Sequence, residues 1–512
     1  MDIIFSSIIN MFQPIILIAM ICGVSWGIFV GALPGFGAAI GIALLIPFTY
    51  GINPTIALPI LAAVYTGAYY GGGITSIMIG VPGNSPAAAT IMDGFPMTQK
   101  GKSQKALTTS LLASTFGGIF GGLSLLLLAP QLVQVTLLFG PAEYFVLAVF
   151  GLTIIASLSG ASIIKGLISG TFGLLLSTIG IDVITGANRF TFGEIYLFDG
   201  IPTIPLILGL FAFPRCLLMI RDIFLKESLT LSLSDDKGSG ENATLKEMFK
   251  MWKTLIRSSI IGTIIGIIPG AGANIACWVG YGEARRNSKH PEKFGTGIPE
   301  GVAAAEAANN SVAGGSMIPL LTLGIPGNAA SAVMLGALMI HGLVPGLKLF
   351  TTYASITYTY MVAMIFSCFI LLAVGWYASR FFAKLAMVNF IILAPTIILV
   401  TLMGSFSNRQ YVFDMWVTLL LGIFCYWLTL LKYPMPPILL GVILGPISEK
   451  GLRRALMISR GDWTVFLTRP ICIILLVLSA ISVYYGIKIS KSNIGKGIQK
   501  EEKLKLKEIK GS

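Results

Sequence analysis

The chain has 512 residues, of which 55% are hydrophobic and only 11% charged, and its net charge is +13. An average soluble domain carries roughly 25% charged residues, so these proportions, with a mean hydropathy of +0.85, exclude a water-soluble fold. The positive balance lies in short loops and in the stretch from Lys488 to Lys510, as expected of cytoplasmic loops beside an anionic leaflet and not of a nucleic-acid surface.

In chain order, apolar runs of roughly 17 to 25 residues recur, each long enough to span the hydrocarbon core. Examples are Pro14 to Val30, Leu107 to Leu128 and Tyr353 to Ala378. About ten to twelve spans are expected, giving an all-α polytopic membrane protein of the inner (plasma) membrane. No Lys or Arg precedes the first run in Met1 to Gln13, so it reads as a retained span and not as a cleaved leader. Six scattered cysteines, Cys22, Cys216, Cys277, Cys368, Cys425 and Cys472, form no close pairs and read as packing or lipid-facing residues.

The chain repeats itself. Gly31-Ala-Leu-Pro34-Gly35-Phe-Gly37-Ala38 returns 235 residues later as Gly266-Ile-Ile-Pro269-Gly270-Ala-Gly272-Ala273. Ile79-Gly80-Val81-Pro82-Gly83-Asn84 returns at an offset of 244 as Leu323-Gly324-Ile325-Pro326-Gly327-Asn328. A weaker echo pairs Pro205 to Gly209 with Pro437 to Gly441. The expected organisation is a first repeat over 1–216, a cytoplasmic linker over 217–255, and a second repeat over 256–447. A basic loop and final span over 448–487 and a Lys-rich cytoplasmic tail over 488–512 follow. Lys100, Lys102 and Lys105, the linker basics from Arg215 to Arg257, and Arg285, Arg286, Lys289 and Lys293 mark inside loops. The counterpart of the last group in the first half, Gly51 to Pro54, is uncharged, so corresponding loops fall on opposite sides, as in inverted repeats. The segment Glu449 to Arg469 and the tail are both basic although one span, Pro470 to Gly486, separates them; repeat symmetry favours an inside tail.

Proline removes a helical hydrogen bond and glycine loosens the backbone, so Pro82-Gly83 and Pro326-Gly327 should each break a helix at membrane depth, forming a broken-helix hairpin in each repeat. Unpaired backbone is tolerated there only inside protein or along an aqueous cavity. A paired break therefore points to a binding site, with amides for an anion and carbonyls for a cation. Asn84, Asn328, Thr75, Ser76, Ser311 and Ser316 add neutral polar groups, and no Arg or Lys occurs in these segments. Gly31, Gly35, Gly266 and Gly270 have Gly-x-x-x-Gly spacing, which serves helix packing as readily as ligand approach. Glu306, followed by Asn309 and Asn310, is an acid in an Ala-rich helical stretch, read either as an ion-coupling group or as a solvated interfacial one. Asp93-Gly94-Phe95-Pro96 and His341 to Pro345 read as helix-terminating turns. A membrane enzyme would need clustered acids or a catalytic constellation, yet His290 and His341 are the only histidines. No phosphate-binding Gly-rich loop with Lys occurs, so energy must come from a gradient or a partner; no ring of charges marks an ion channel.

Gly31 to Gly37, Tyr69 to Asn84, Asp93 to Pro96, Ile267 to Gly272, Gly301 to Asn310, Gly314 to Asn328, and Leu440 to Pro446 with Glu449 closely resemble the large membrane subunit of the tripartite tricarboxylate transporter family, TctA type. The resemblance covers almost the whole chain. It implies a secondary transporter, not an enzyme. A small membrane subunit and an extracytoplasmic solute-binding protein would be its partners, and it would import a citrate-like carboxylate by alternating access, with sodium (or protons) as coupling ion and no other cofactor or resident metal. The site it implies is Pro82, Gly83, Asn84, Pro326, Gly327 and Asn328, with Thr75, Ser76, Asn309 and Asn310 in support; the reading of the residues themselves adds Ser316 to the substrate site and Gly35, Gly270 and Glu306 to the ion-coupling or supporting group.

Overall fold

The computed structural model describes every residue except 1, 136–137, 159–162, 183–184, 226–241, 271, 386–389 and 485–512. The Lys-rich tail and the middle of the linker, both expected inside, lie outside the described residues.

The described residues are mostly helical, as the apolar composition demands. The first half runs α1 (Asp2–Met11), α2 (Pro14–Ala32), α3 (Ala38–Thr49), α4 (Pro54–Ile79), α5 (Ala88–Gln99), α6 (Ser103–Val135), α7 (Pro141–Leu158), α8 (Ile163–Ser177), α9 (Thr203–Ile207) and α10 (Phe213–Phe224). Between α8 and α9 lies a short antiparallel pair, β1 (Gly180–Ile181) and β2 (Asn188–Arg189). A linker helix, α11 (Leu245–Lys250), is started by a Thr244–Glu247 capping box. The second half runs α12 (Trp252–Ile267), α13 (Gly272–Asn287), α14 (Pro299–Leu323), α15 (Ala329–Ile340), α16 (Leu347–Phe350), α17 (Ala354–Leu385), α18 (Phe390–Arg409), α19 (Val412–Leu430), α20 (Pro436–Ile458) and α21 (Val465–Thr468). Among the described residues, five helical stretches have both the length and the apolar composition of a membrane span: Pro14–Ala32, Ser103–Val135, Thr203–Phe224, Ala354–Tyr377 and Val412–Leu430. Six shorter apolar helices accompany them, including Pro470–Tyr484. The protein is thus an all-α multi-pass membrane protein.

Two compact units divide the chain. One comprises Met1–Leu138 and Pro202–Tyr426, the other Phe139–Ile201 and Trp427–Ser512. In the first, α4 is packed by α2, α3 and α17, and α14 by α6, α12 and α13. Both central helices are buried along almost their whole length, from Ala57 to Met78 and from Gly301 to Thr322. Small residues permit this, because apolar lipid gives helices no hydrophobic reason to associate and close backbone approach must supply the contact. A Cβ on Gly27 would collide with the Val64 carbonyl of α4, and one on Gly262 with the Ala308 carbonyl of α14. In the second unit, α20 lies against α7 and α8, and a Cβ on Gly441 would fall 2.5 Å from the Gly170 carbonyl oxygen. All six cysteines are free thiols; Cys22 faces outward and the other five are buried.

Two expectations are corrected here. Asp93-Gly94-Phe95-Pro96 does not terminate a helix; α5 continues through it to Gln99. The reason is that Asp93 is an anchor: its buried carboxylate accepts from the N–H groups of Gly295, Gly297 and Ile298 at 3.0, 2.8 and 3.1 Å and from the Tyr281 hydroxyl at 2.9 Å. Arg215, grouped with the basic residues of the linker as a marker of the inside, is a helical residue of the first repeat. It sits within the helical span Thr203–Phe224.

Candidate functional site

Helix α4 ends at Ile79, where Gly80 adopts φ +69°, and α14 ends at Leu323, where Gly324 adopts φ +73°. Pro82 and Pro326 follow two residues on, in a backbone that cannot continue the helix. Asn84 and Asn328 then restart it. The Asn84 Oδ1 accepts from the Ala87 N–H at 3.1 Å, and the Asn328 Oδ1 from the Ser331 N–H at 2.9 Å, with the Ser331 hydroxyl accepting the Asn328 N–H in return. Each asparagine is therefore the N-cap of the segment after the break.

The two repeated motifs meet in space, in the same way in each half. Gly35 donates its N–H to the Gly83 carbonyl at 2.9 Å, and Gly270 donates to the Gly327 carbonyl at 2.8 Å. Both donors have positive φ, +78° and +80°, a conformation that asks for glycine. Gly31 and Gly266 contribute differently: a Cβ on Gly83 would collide with the Gly31 carbonyl oxygen, and one on Gly327 with that of Gly266. The Gly-x-x-x-Gly spacing thus combines a packing glycine with a turn glycine.

Around the first break, the Ser76 hydroxyl lies 2.9 Å from the carbonyls of both Gly72 and Ala87. The Thr75 hydroxyl would be 2.8 Å from a Cβ on Gly83. The Asn84 Nδ2 donates to the Ala68 carbonyl at 3.0 Å. Around the second break, the Tyr65 hydroxyl lies 2.9 Å from the Ser316 Oγ and 3.0 and 2.9 Å from the Asn328 Oδ1 and Nδ2. Asn309 Nδ2 donates to the Tyr69 carbonyl at 3.2 Å. One two-turn stretch of α4, Tyr65 to Gly72, therefore touches both breaks and Asn309.

Glu306 forms a second centre. It is fully buried, and its carboxylate accepts from the Thr90 hydroxyl of α5 at 2.6 Å and the Ser114 hydroxyl of α6 at 2.9 Å. A Cβ on Gly73 would lie 2.5 Å from its Oε1 and 3.2 Å from the Ser110 Oγ, which is itself buried without a partner. Asn310 is fully buried, and neither its Oδ1 nor its Nδ2 has a partner. Unsatisfied buried amides are rare and each asks for a reason. Ser311 turns its hydroxyl onto the Ala308 carbonyl of its own helix at 3.1 Å.

Sequence reasoning missed Tyr65, Thr90, Ser114 and Arg215. A tyrosine hydroxyl deep in an otherwise apolar or small-residue run is a signal for the first, and an arginine inside an apolar span for the last. Arg215 Nη2 donates to the Pro34 carbonyl at 2.8 Å, at the turn that carries Gly35.

The chain matches the family model described as the tripartite tricarboxylate transporter TctA family over residues 17–440. It is 37% identical over 475 residues, 91% of this chain and 92% of the relative, to a 52.8 kDa protein of Agrobacterium vitis described as uncharacterized, in the TAR-I ttuC' 3'region. A second protein of Agrobacterium vitis, described as uncharacterized and in the TAR-II ttuC' 3'region, is 36% identical over 222 residues, 43% of this chain and 92% of the relative. No solved structure matches the chain. With the family's motifs placed at two backbone breaks that share one geometry, the chain belongs to the tripartite tricarboxylate transporter TctA family.

Proposed function

We propose that this chain is the substrate-carrying membrane subunit of a tripartite, ion-gradient-driven importer of carboxylates, working by alternating access with a small membrane subunit and an extracytoplasmic solute-binding protein. The observation that carries the reading is the pair of helix breaks with the same Gly35–Gly83 and Gly270–Gly327 contact, joined by a single stretch of α4. Breaks of this kind at the interface of repeats are where secondary transporters bind substrate and ion.

Inversion of the repeats is supported by which loops touch. Lys100, after α5, donates to the Thr296 carbonyl, before α14, at 2.5 Å. Thr49, before α4, lies 3.3 Å from His341, after α15. The exit of one hairpin thus meets the entrance of the other at both ends, as antiparallel copies require. In this reading Thr75, Ser76, Pro82, Gly83, Asn84, Ser316, Pro326, Gly327 and Asn328 surround the substrate. Glu306, with Asn309 and Asn310, serves ion coupling: a buried carboxylate whose partners Thr90, Ser114 and Asn309 are all neutral has no resident counter-charge among them.

The test is uptake of labelled citrate and other di- and tricarboxylates into vesicles holding the assembled three-component system, with and without a sodium gradient and with and without a pH gradient. Gradient-driven uptake by the native system, lost in Glu306→Gln while the complex still assembles, is the expected result. Absence of uptake of every carboxylate under both gradients would refute the carrier reading. Unchanged gradient dependence in Glu306→Gln would remove that residue from coupling.

A further inference from the structure

The two breaks share a backbone contact but not a charge. Within the span Thr203–Phe224 a π-helical turn at Leu208–Ala212 interrupts the α-helix just before α10. One extra residue in a turn rotates everything after it by about 100° relative to a continued α-helix, and such turns recur at functional sites. Beyond this turn, Arg215 Nη2 reaches the Pro34 carbonyl at 2.8 Å, and the guanidinium stands 5.7 Å from the centre of the Phe36 ring. A Cβ on Gly35 would collide with the guanidinium, so the turn glycine of the first break is also the residue that admits the arginine.

Among the described residues Arg215 forms no ion pair, and Asp222 acts on it only from a distance. The nearest candidate on its own helix, Asp222, is engaged by Arg221 at 2.7 Å. The Arg215 Nε is buried without a partner. Helix α3, which begins three residues after Gly35, has Gly37 at its N-cap and no side-chain cap, so the positive end of its dipole has no side-chain acceptor of its own. The second half has none of this. Aligned through Pro205 to Gly209 and Pro437 to Gly441, the counterpart of Arg215 is Ile447, in the regular helix α20. The π turn and the arginine are both peculiar to one copy of a duplicated element, and they occur together.

A charge inside a membrane span is costly and persists where it serves a ligand or a partner group. One backbone carbonyl and one aromatic face satisfy only part of a five-donor guanidinium. We propose that Arg215 is a substrate-binding residue: it supplies the positive charge that holds a carboxylate of the transported anion at the first break, beside Gly35 and the start of α3. The second break, lined by the neutral Tyr65, Ser316 and Asn328, holds the uncharged part of the site. The proposal rests on the carboxylate-carrier reading above and assigns within it the group that the broken segments themselves lack.

The experiment uses the assembled three-component system in vesicles, with citrate as first probe and other di- and tricarboxylates beside it. Initial uptake is measured against substrate concentration for the native chain, Arg215→Lys and Arg215→Gln. Arg215→Gln is expected to raise KM about ten-fold or more, as loss of a charge-assisted contact does, and Arg215→Lys to fall between. In parallel, the native complex is treated with phenylglyoxal with and without substrate, and the adducts are read by peptide mass spectrometry with Arg285 as reference. Substrate is expected to abolish most of the Arg215 adduct and to leave that of Arg285 unchanged. Native uptake with an unchanged KM in Arg215→Gln, or with Arg215 equally reactive in saturating substrate, overturns the proposal while leaving the carrier reading intact. No uptake of any carboxylate by the native system is instead a failure of the carrier reading. If Arg215→Gln fails to assemble, the protection measurement on the native complex decides.

Discussion

Asn84 and Asn328 occupy equivalent places but are held by different neighbours. The amide of Asn84 is bonded at both ends within its own hairpin, to the Ala87 N–H and the Ala68 carbonyl. That of Asn328 reaches out of its hairpin to Tyr65 of α4, 263 positions earlier. The Tyr65 hydroxyl has one proton to give, so it accepts from the Asn328 Nδ2 and donates either to the Asn328 Oδ1 or to Ser316. Tyr65→Phe leaves the cap of α15 intact, because Ser331 still pairs with Asn328 in both directions. It does strip the tie between the halves. We expect the variant to lose about 1 to 2 kcal/mol of stability, the usual effect of removing one partner of a buried polar group, and to lower initial uptake several-fold. Thr66→Val is the comparison: the Thr66 hydroxyl bonds carbonyls of its own helix and Ser367, away from both breaks. Uptake by Tyr65→Phe equal to that of Thr66→Val would show that the tie plays no part in transport.

At the scale of helices, backbone contact does the work that hydrophobic burial does in water. Gly27 and Gly262 hold corresponding places in α2 and α12, and a methyl group on either would strike a carbonyl oxygen of the helix it packs on. A backbone atom cannot swing aside as a side chain can. Gly27→Ala and Gly262→Ala are each expected to lower stability by about 1 to 3 kcal/mol, seen as a lower melting temperature in detergent. Gly282 in α13 is exposed and has nothing within 4 Å, so Gly282→Ala should gain about 0.5 to 1 kcal/mol from helix propensity alone. Equal melting temperatures for the three variants would refute the packing argument. These glycines and the Pro-Gly-Asn breaks were legible in the sequence because special backbone geometry admits few residue types, and the same types recur in both halves. What stayed hidden depended on distant partners. Asp93-Gly94-Phe95-Pro96 carries the residues of a turn, yet three amides from the loop before α14 hold it as helix. Arg215 lies close to a basic linker and reads as part of it, until the fold places it against Pro34. Glu306 reads equally well as solvated or buried, and only Thr90 and Ser114, from two helices of the other half, decide for burial.

For the molecule as a whole, the open question of sidedness concerns the basic segment 449–469. Counting Lys and Arg places it inside, but the count treats every charge as free. Two of its own arginines, and one that faces it, are not. Arg453 pairs with Asp182 at 2.8 Å, Arg189 with Glu449 at 2.8 Å, and Arg469 with Glu143 at 3.0 Å. The Arg189 guanidinium holds the Glu449 carboxylate below its ordinary range, so that pair stays charged at neutral pH. The pairs also tie 449–469 to the segments around Glu143 and β2, which follow α6 and α8. Lys105, at the start of α6, pairs with Glu247 of the linker at 2.5 Å, so α6 begins on the linker side. With the linker inside, one crossing by α6 would put Glu143 outside, and α7 and α8 together would return the chain to that side at β1. Segment 449–469 is accordingly expected outside, with Pro470–Tyr484 as the crossing back toward the inside. Single cysteines at Phe192, Trp463 and Lys289, each exposed or in an exposed loop, test this in intact cells with a membrane-impermeant maleimide. Positions 192 and 463 should label from outside and position 289 only after the membrane is opened. Labelling of 192 without 463 would break the argument, because the ion pairs require both on one face.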